Sequence, residues 1–326
     1  MSFTLSAREL QEITASAHAA EQHSVVTGTN YLVVDLRQQA ATPTPRPRHY
    51  QPACVVIGFG GTHAATDVTA SDERQLEVLT AAIAAQPVAA ATLAQLLRHN
   101  AQTDIMQGLL AESLAYSTLQ QSNGFRHWLA QIDKRDPQVE DQPPLLIERI
   151  ESANAVELVL TLNRPHKHNA YSTDLKDALC EALQLAESDP QVTQLTLQGN
   201  GASFSAGGDL SEFGSVQDAG VAHLSRTTRS AAALLASASC STAARVHGAC
   251  IGAGIELPAF TAHVRARADS FFQLPEVAMG LVPGAGGTVS ILKRIGRHRT
   301  AWMALTGTRI DAATALDWGL IDELEG

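Results

Sequence analysis

Two glycine-rich segments in the second half of the chain constrain the fold most. Residues 248–257 read GACIGAGIEL, and residues 272–288 read FQLPEVAMGLVPGAGGT. Small residues of this kind let one backbone approach another, or a ligand, closely. Each segment also carries a glutamate, Glu256 in the first and Glu276 in the second. Paired carboxylates beside closely approaching backbone are typical of a site that moves protons on a substrate whose oxygen is held by peptide N–H groups.

Apolar strands and amphipathic helices alternate around these two segments. We predict, in chain order, a strand over 146–150, a strand over 156–162, a helix over 173–187, a strand over 192–197, a helix over 218–239 and a strand over 243–246. This alternation predicts an α/β fold. The glycine clusters fall where strands end and helices begin, which is where open α/β sheets bind their ligands.

The first part of the chain has a different pattern. We predict helices over 5–22, 71–85, 93–97 and 106–129, the last broken near Asn123 and Gly124, and strands over 31–36 and 53–58. The polar, proline-containing stretch 133–144 is the best candidate for a linker. The sequence therefore predicts two domains, an N-terminal extension over 1–140 and a catalytic domain over 145–326. The glycines after the strand at 53–58 lack the G-x-G-x-x-G spacing, which favours a plain turn over a dinucleotide site.

Charge and cysteine usage exclude several classes of function. The 326 residues carry a net charge of −10, which argues against a nucleic-acid surface and against a polybasic membrane anchor. No apolar run is long enough for a membrane span, and the first residues lack the apolar core of a signal peptide. The four cysteines show no metal-ligand spacing, so we interpret them as buried small residues in a reducing compartment. We expect a cytoplasmic protein without a metal.

Residues 145–323 resemble the crotonase (enoyl-CoA hydratase/isomerase) superfamily. The matching motifs are NRPHKHNA over 163–170, FSAGGDL over 204–210, GAGIEL over 252–257, LPE over 274–276, GLVPGAGGT over 280–288, and LTGTRI over 305–310 followed by WGLI over 318–321. Each motif is weak alone, but together they occur in family order and with family spacing. The resemblance implies a crotonase-like ββα spiral core, to which residues 1–140 add a further α/β region.

The resemblance also implies the ligand, an acyl-CoA thioester, and no separate cofactor. Family members hold the thioester carbonyl oxygen between two backbone N–H groups, here those of Gly208 and Ala253. The family often has glycine at the second position, so we expect the methyl group of Ala253 to shape the pocket. Further substrate-binding positions implied by the resemblance are Lys167, Asn169, Ala170, Ala206, Asp209, Leu210, Pro283 and Gly284. We expect Lys167 to meet a CoA phosphate, and Asp209 to fix the oxyanion loop through hydrogen bonds to backbone.

Glu256 and Glu276 match the two catalytic glutamates of the hydratases. Addition of water to a 2,3-enoyl thioester needs one group that takes a proton from water and one that delivers a proton to C2. Burial and mutual repulsion push the pKa values of two carboxyls apart, which suits these opposite roles. The resemblance implies that Glu276 protonates the α-carbon and that Glu256 binds and activates the water.

Three functions stay open at this point. The presence of both glutamates favours an enoyl-CoA hydratase. A Δ3,Δ2-enoyl-CoA isomerase, or another crotonase-type reaction of an acyl-CoA, is the first alternative. A catalytically silent crotonase fold that serves as an interaction subunit is the second, and the intact glutamates argue against it.

The N-terminal extension has no counterpart in simple hydratases. Family members usually continue for several dozen residues beyond the motif at 318–321, with helices that cover the acyl pocket and build a trimer, whereas this chain stops at Gly326. We expect the N-terminal region to supply this cover or the oligomer contacts, because its helices have enough apolar surface. The competing interpretation is a separate module with its own partner. A homo-oligomer, trimeric or hexameric, is the assembly that the resemblance implies.

Overall fold

Three β-sheets organise the described part of the protein, which comprises residues 4–37, 50–132, 142–152 and 155–325 of a computed structural model. A four-stranded sheet belongs to the N-terminal region, and sheets of six and three strands belong to the catalytic region. The predicted α/β class is therefore confirmed for both regions. Residues 133–141 of the predicted linker lie outside the described part, so the division of the chain into two domains stays a prediction.

The N-terminal sheet consists of four short strands, all parallel and ordered as they occur in the chain. They are β1 (Thr4–Ser6), β2 (Tyr31–Asp35), β3 (Val55–Phe59) and β4 (Val68–Ala70). Every residue of β3 is buried. This burial on both faces explains why β3 reads as a continuous apolar run instead of an alternating pattern.

Six helices accompany this sheet in the described part of the chain. They are α1 (Ala7–Ala15), α2 (Ala19–Gln22), α3 (Glu73–Ala85), α4 (Pro87–Asn100), α5 (Ile105–Leu119) and α6 (Asn123–Leu129).

Side-chain caps set helix boundaries that periodicity alone places wrongly. The single helix predicted over 5–22 is wrong. Ser6 accepts the amide of Glu9, so α1 starts only after it, and the extended backbone at Ser16 separates α1 from α2. The helix predicted from residue 71 begins two residues later, since Asp72 accepts the amide of Gln75 at 2.9 Å. The break expected near Asn123 lies just before it, because Ser122 caps α6.

The catalytic region contains nine strands and six helices among the described residues. The strands are β5 (Leu145–Glu151), β6 (Val156–Leu162), β7 (Val192–Gly199), β8 (Ser241–Val246), β9 (Ala249–Ile251), β10 (His263–Arg267), β11 (Phe271–Gln273), β12 (Ile310–Asp311) and β13 (Glu323–Glu325). The helices are α7 (Thr173–Ser188), α8 (Ala219–Thr228), α9 (Ala231–Ala236), α10 (Ala253–Glu256), α11 (Gly287–Thr306) and α12 (Ala312–Trp318).

The larger sheet has the order β13-β10-β8-β7-β6-β5, and only the β5–β6 pair is antiparallel. The smaller sheet has the order β12-β11-β9, and the two glycine-rich segments run through β9 and out of β11. The helix predicted over 218–239 is two helices, because Ser230 accepts the amide of Ala233 and starts α9. Helix α11 is interrupted at Gly296, whose φ is 77°.

The two regions share one hydrophobic core. Helices α4 and α5 of the N-terminal region pack against α11, and one cluster of buried side chains runs through both regions, while a smaller cluster lies between α1 and the N-terminal sheet. Asn100 at the end of α4 donates from Nδ2 to the carbonyl and the hydroxyl oxygens of Thr288, at 3.2 and 3.0 Å. Gly108 of α5 lies so close to Val289 that a Cβ there would be 2.8 Å from Val289 Cγ2. This packing brings the N-terminal region up to the glutamates.

Within the described ranges, no single helix has both the length and the apolar character needed to cross a membrane. Helices α3 and α4 are long and apolar enough only when they are taken together, and the chain bends by 109° between them.

Candidate active site

A cavity of about 530 Å³ lies between the two regions and contains the predicted catalytic groups. Six of the predicted site residues line it, namely Gly208, Asp209, Ala253, Glu256, Glu276 and Gly284. Helix α5 forms another wall, through Met106, Leu109, Leu110, Glu112, Ser113 and Tyr116. The cavity is therefore built jointly by the family-like region and the N-terminal extension.

Strand-like pairing brings the two expected backbone donors to one side of the cavity. Ser205 donates its amide to the Ala249 carbonyl at 3.1 Å and accepts the amide of Ile251 at 3.0 Å. This pairing lays the segment ending at Gly208 beside the segment leading to Ala253. Among the described residues, the amides of these two residues donate to no backbone or side-chain acceptor. Both residues line the cavity, so these unpaired N–H groups are the candidate donors to a ligand oxygen.

The helix that opens at Ala253 is only one turn long. Helix α10 ends at Glu256, and Pro258 begins a separate 3-10 turn, Pro258–Phe260. A single turn aligns few peptide dipoles, so the helix contributes little to the field at the donors.

Glu256 is almost completely buried, with 2% of its surface exposed. Its Oε2 accepts the amides of Ala285 and Gly287 at 2.7 and 2.8 Å. Burial raises the pKa of Glu256 to about 7, while the two amides and the charge of Arg226 act in the opposite direction. The carboxyl therefore exchanges a proton near neutral pH.

Glu276 follows β11 and opens a 3-10 turn, Glu276–Met279. Its Oε2 is buried without a hydrogen-bond partner among the described residues. Burial, followed by the negative charges of Glu256 and Glu112, raises the pKa of Glu276 well above its ordinary value. A carboxyl in this environment holds its proton more firmly than Glu256 does.

Gly252 lets the two carboxyls face each other. Its φ is +50°, which disfavours any side chain, and a Cβ there would overlap Oε1 of Glu276. The same Cβ would lie 3.7 Å from Oε1 of Glu256. The missing side chain thus leaves a space bordered by one oxygen of each glutamate.

A third buried carboxyl, which the sequence analysis missed, comes from α5. Glu112 is 3% exposed and accepts the amide of Gly286 at 2.7 Å, together with the amide and hydroxyl of Thr288 at 3.0 and 2.6 Å. Burial, followed by the charge of Glu256, raises the pKa of Glu112 to about 8. One feature of the sequence could have pointed to Glu112, since it is the only charged residue of Ile105–Leu119.

Two other cavity residues were also missed. The guanidinium of Arg226 on α8 stacks over the ring of Tyr116 on α5, 3.9 Å from the ring centroid. Its Nη2 donates to Oε1 of Gln120 at 3.2 Å. The ring of Tyr116 also presses on Gly284, where a Cβ would overlap it. Both side chains belong to packing between distant elements, which local spacing does not reveal.

Asp209 braces the loop at the donors, and does so mainly through side chains. Its Oδ1 accepts the amide and hydroxyl of Ser211 at 3.1 and 2.7 Å, and its Oδ2 accepts Nη2 of Arg164 at 2.8 Å. Burial opposes ionisation, but these hydrogen bonds and the charge of Lys167 prevail and lower the pKa of Asp209 to about 2. Asp209 is therefore a fixed anion that holds the loop.

Lys167 and Asn169 are not among the residues that line the cavity. Nζ of Lys167 lies 3.6 Å from Oδ2 of Asp209. Asn169 is fully buried, and its Nδ2 donates to the carbonyls of Asn200 and Ser203 at 2.8 and 2.9 Å. The Asn169 side chain is enclosed and braces the loop, and substrate contact at this residue stays a prediction.

Four further predicted positions also lie outside the lining of the cavity as described. Ala170 accepts a hydrogen bond from Nη1 of Arg164 through its carbonyl, and Ala206 donates its amide to the carbonyl of His168 at 2.9 Å. Leu210 is 45% exposed, and Pro283 is buried beside the cavity-lining Gly284. Direct substrate contact at these positions stays a prediction.

Within the ranges that the structure describes, no group of three or more His, Cys, Asp or Glu residues could hold a metal ion.

Residues 151–325, more than half of the chain, match the model of the enoyl-CoA hydratase/isomerase family. The chain belongs to this family, and its crotonase-type fold is thereby confirmed. Among relatives, it is 34% identical over 177 residues to 2,3-dehydroadipyl-CoA hydratase of Escherichia coli, and 32% identical over 186 residues to mitochondrial enoyl-CoA hydratase of Pongo abelii. These matches cover 54% and 55% of this chain.

The structural comparison agrees with the sequence comparison. The crystal structure of an enoyl-CoA hydratase from Mycobacterium smegmatis superposes with a TM-score of 0.51 at 29% identity, covering 56% of this chain and 70% of that one. The chain spans 69% and 61% of the length of the two relatives above. Glu112 and the rest of α5 lie outside the matched residues 151–325.

Proposed function

We propose that this protein is an acyl-CoA-binding lyase that adds water to a 2-enoyl-CoA thioester through an enolate. The observation that carries the proposal is the meeting of Glu256 and Glu276 across the space at Gly252, inside a cavity that also contains the free amides of Gly208 and Ala253. Membership of the enoyl-CoA hydratase/isomerase family supports the same chemistry.

The different environments of the two carboxyls support different roles. The pKa of Glu256 lies at about 7 and its Oε2 is held by two amides, so its carboxylate is available to bind water and accept a proton. Glu276 retains its proton more firmly because burial and neighbouring charge both raise its pKa. In the proposed step, Glu256 takes a proton from water as the oxygen attacks C3. Glu276 then delivers its proton to C2, which removes the negative charge from the enolate.

The proposed oxyanion hole stabilises that enolate. As the bond at C3 forms, electrons move onto the thioester oxygen, and the amides of Gly208 and Ala253 donate to it. One donor of this kind contributes roughly 2.7–4 kcal/mol to transition-state stabilisation. Ala253 is 7% exposed, and a hydrogen bond from a buried donor to the developing charge is stronger than the same bond in water.

The N-terminal region supplies the cover of the acyl pocket in this proposal. Six residues of α5 line the cavity, and Tyr116 is pressed against Gly284 of the family-like region. The proposed reaction needs no cofactor beyond the CoA ester. A homo-oligomer and a cytoplasmic location remain part of the proposal, to be tested by analytical ultracentrifugation and by cell fractionation.

Incubation with crotonyl-CoA tests the proposed function. Loss of the conjugated-thioester absorbance is expected, at a rate proportional to protein concentration. Absence of turnover with a panel of 2-enoyl-CoA chains would exclude a hydratase. A shift of the double bond in 3-enoyl-CoA esters, without addition of water, would instead identify a Δ3,Δ2-isomerase.

A further inference from the structure

Two glutamates from different regions bind alternate amides of one short segment. Residues 285–288 lead into α11, and their four amides face carboxylates in turn: Ala285 and Gly287 donate to Glu256, whereas Gly286 and Thr288 donate to Glu112. Gly286, the residue that precedes α11, has no side chain with which to cap the helix. The first amides of a helix lack intrahelical partners, and each glutamate satisfies one of them in α11, Glu256 that of Gly287 and Glu112 that of Thr288.

We propose that Glu112 is a positioning residue of the active site, which holds the 285–288 segment so that its other two amides orient the Glu256 carboxylate. This inference rests on the proposed function. Both oxygens of Glu112 are occupied by three donors from the protein, so it acts through this segment and not on the substrate. Without Glu112, two buried amides lose their acceptor, and the segment has to rearrange to satisfy them.

Glu112 interacts electrostatically with both Glu256 and Glu276. The first of these carboxyls lies on α10 and the second on its 3-10 turn, and Arg226 on α8 places a positive charge near Glu256. On α5 itself, the neighbouring Ser113 bonds to His223 of α8 at 2.9 Å. The charge of Glu112 contributes to raising the pKa of Glu276, so removing it should lower that pKa.

Replacement Glu112→Gln tests the inference with little change in size. The NH2 group of glutamine cannot accept from an amide or hydroxyl, so at least one contact to the segment is lost. We expect kcat to fall about tenfold or more while KM changes by less than about twofold. The alkaline limb of the kcat–pH profile should move to lower pH. Ser117→Ala, a change of a buried polar residue on the same helix, is the matched control and should alter neither quantity.

A measurement without substrate separates this inference from the proposed function. Carbon NMR of protein labelled at the glutamate carboxyls follows the titration of Glu276 directly. We expect that titration to move to lower pH in Glu112→Gln and to stay in place in Ser117→Ala. If wild-type protein turns over no enoyl-CoA ester yet the titration moves, the proposed function fails while the coupling of Glu112 to the pair stands.

Replacement Thr288→Val probes the same contact from the other side, should Glu112→Gln not fold. It removes the hydroxyl that donates to Glu112 at 2.6 Å, so the titration of Glu112 should move to higher pH and kcat should fall. Unchanged kcat together with unchanged glutamate titrations, in whichever of the two variants folds, would overturn the inference.

Discussion

A Cβ on Gly252 would overlap Oε1 of Glu276, so the absence of a side chain at this position is a condition for the catalytic geometry. Gly252→Ala should therefore displace the Glu276 carboxyl and abolish most of the activity. Gly28→Ala is the matched control, because Gly28 also has a positive φ but no atom within 4 Å of the added Cβ. Both changes carry backbone strain of roughly 1–2 kcal/mol.

Thermal unfolding together with kcat per folded molecule separates the two effects. Both variants should lose some stability, but only Gly252→Ala should lose activity beyond that expected from its unfolded fraction. Equal activity of the two variants would show that the space at Gly252 does not serve the reaction.

Replacing Glu276 by glutamine should remove the proton donor and keep the shape of the site. We expect kcat to fall by about 10²–10⁴, the usual contribution of a general acid, with binding of an acyl-CoA product nearly unchanged. Steady-state kinetics and calorimetric titration with a saturated acyl-CoA measure the two effects. Glu276→Gln with wild-type kcat would refute the assigned role.

The raised pKa values predict a bell-shaped dependence of kcat on pH. Glu256 has to be ionised to accept a proton from water, so activity should rise as pH passes through about 7. Glu276 has to be protonated to donate, so activity should fall once pH exceeds its raised pKa. Because the two carboxyls interact, the two limbs of the pH profile give apparent pKa values of the pair and not of either residue alone. Activity that is already maximal at pH 5 would contradict the role of Glu256 as base.

The wall formed by α5 should set the preferred acyl chain. Leu110 and Leu114, one turn apart on this helix, are both about half exposed, but only Leu110 is among the residues that line the cavity. Leu110→Trp should reduce kcat/KM for long enoyl-CoA chains more than for crotonyl-CoA, because its ring fills cavity volume. Leu114→Trp should leave the chain-length profile unchanged. Identical profiles for both variants would mean that α5 does not contact the acyl chain.

The sequence predicts the parts of this site that local spacing encodes. Glu256 and Glu276 lie in glycine-rich segments whose motifs follow in family order, and both glutamates meet in the cavity. The contact of Glu112 with Gly286 joins residues 174 positions apart, and no local pattern encodes it. Periodicity also missed the break between α8 and α9, because a serine cap ends the pattern there without glycine or proline. The role of Asn169 inside its loop was not predicted either, because its hydrogen bonds to the carbonyls of Asn200 and Ser203 join residues more than 30 positions apart.

Incubation of a 2-enoyl-CoA in water labelled with heavy oxygen tests the central claim most directly. Mass spectrometry should detect a 3-hydroxyacyl-CoA that carries the label, formed by wild-type protein and strongly reduced with Glu276→Gln. A product that is only a positional isomer of the substrate, with no added oxygen, would contradict the assignment of a hydratase.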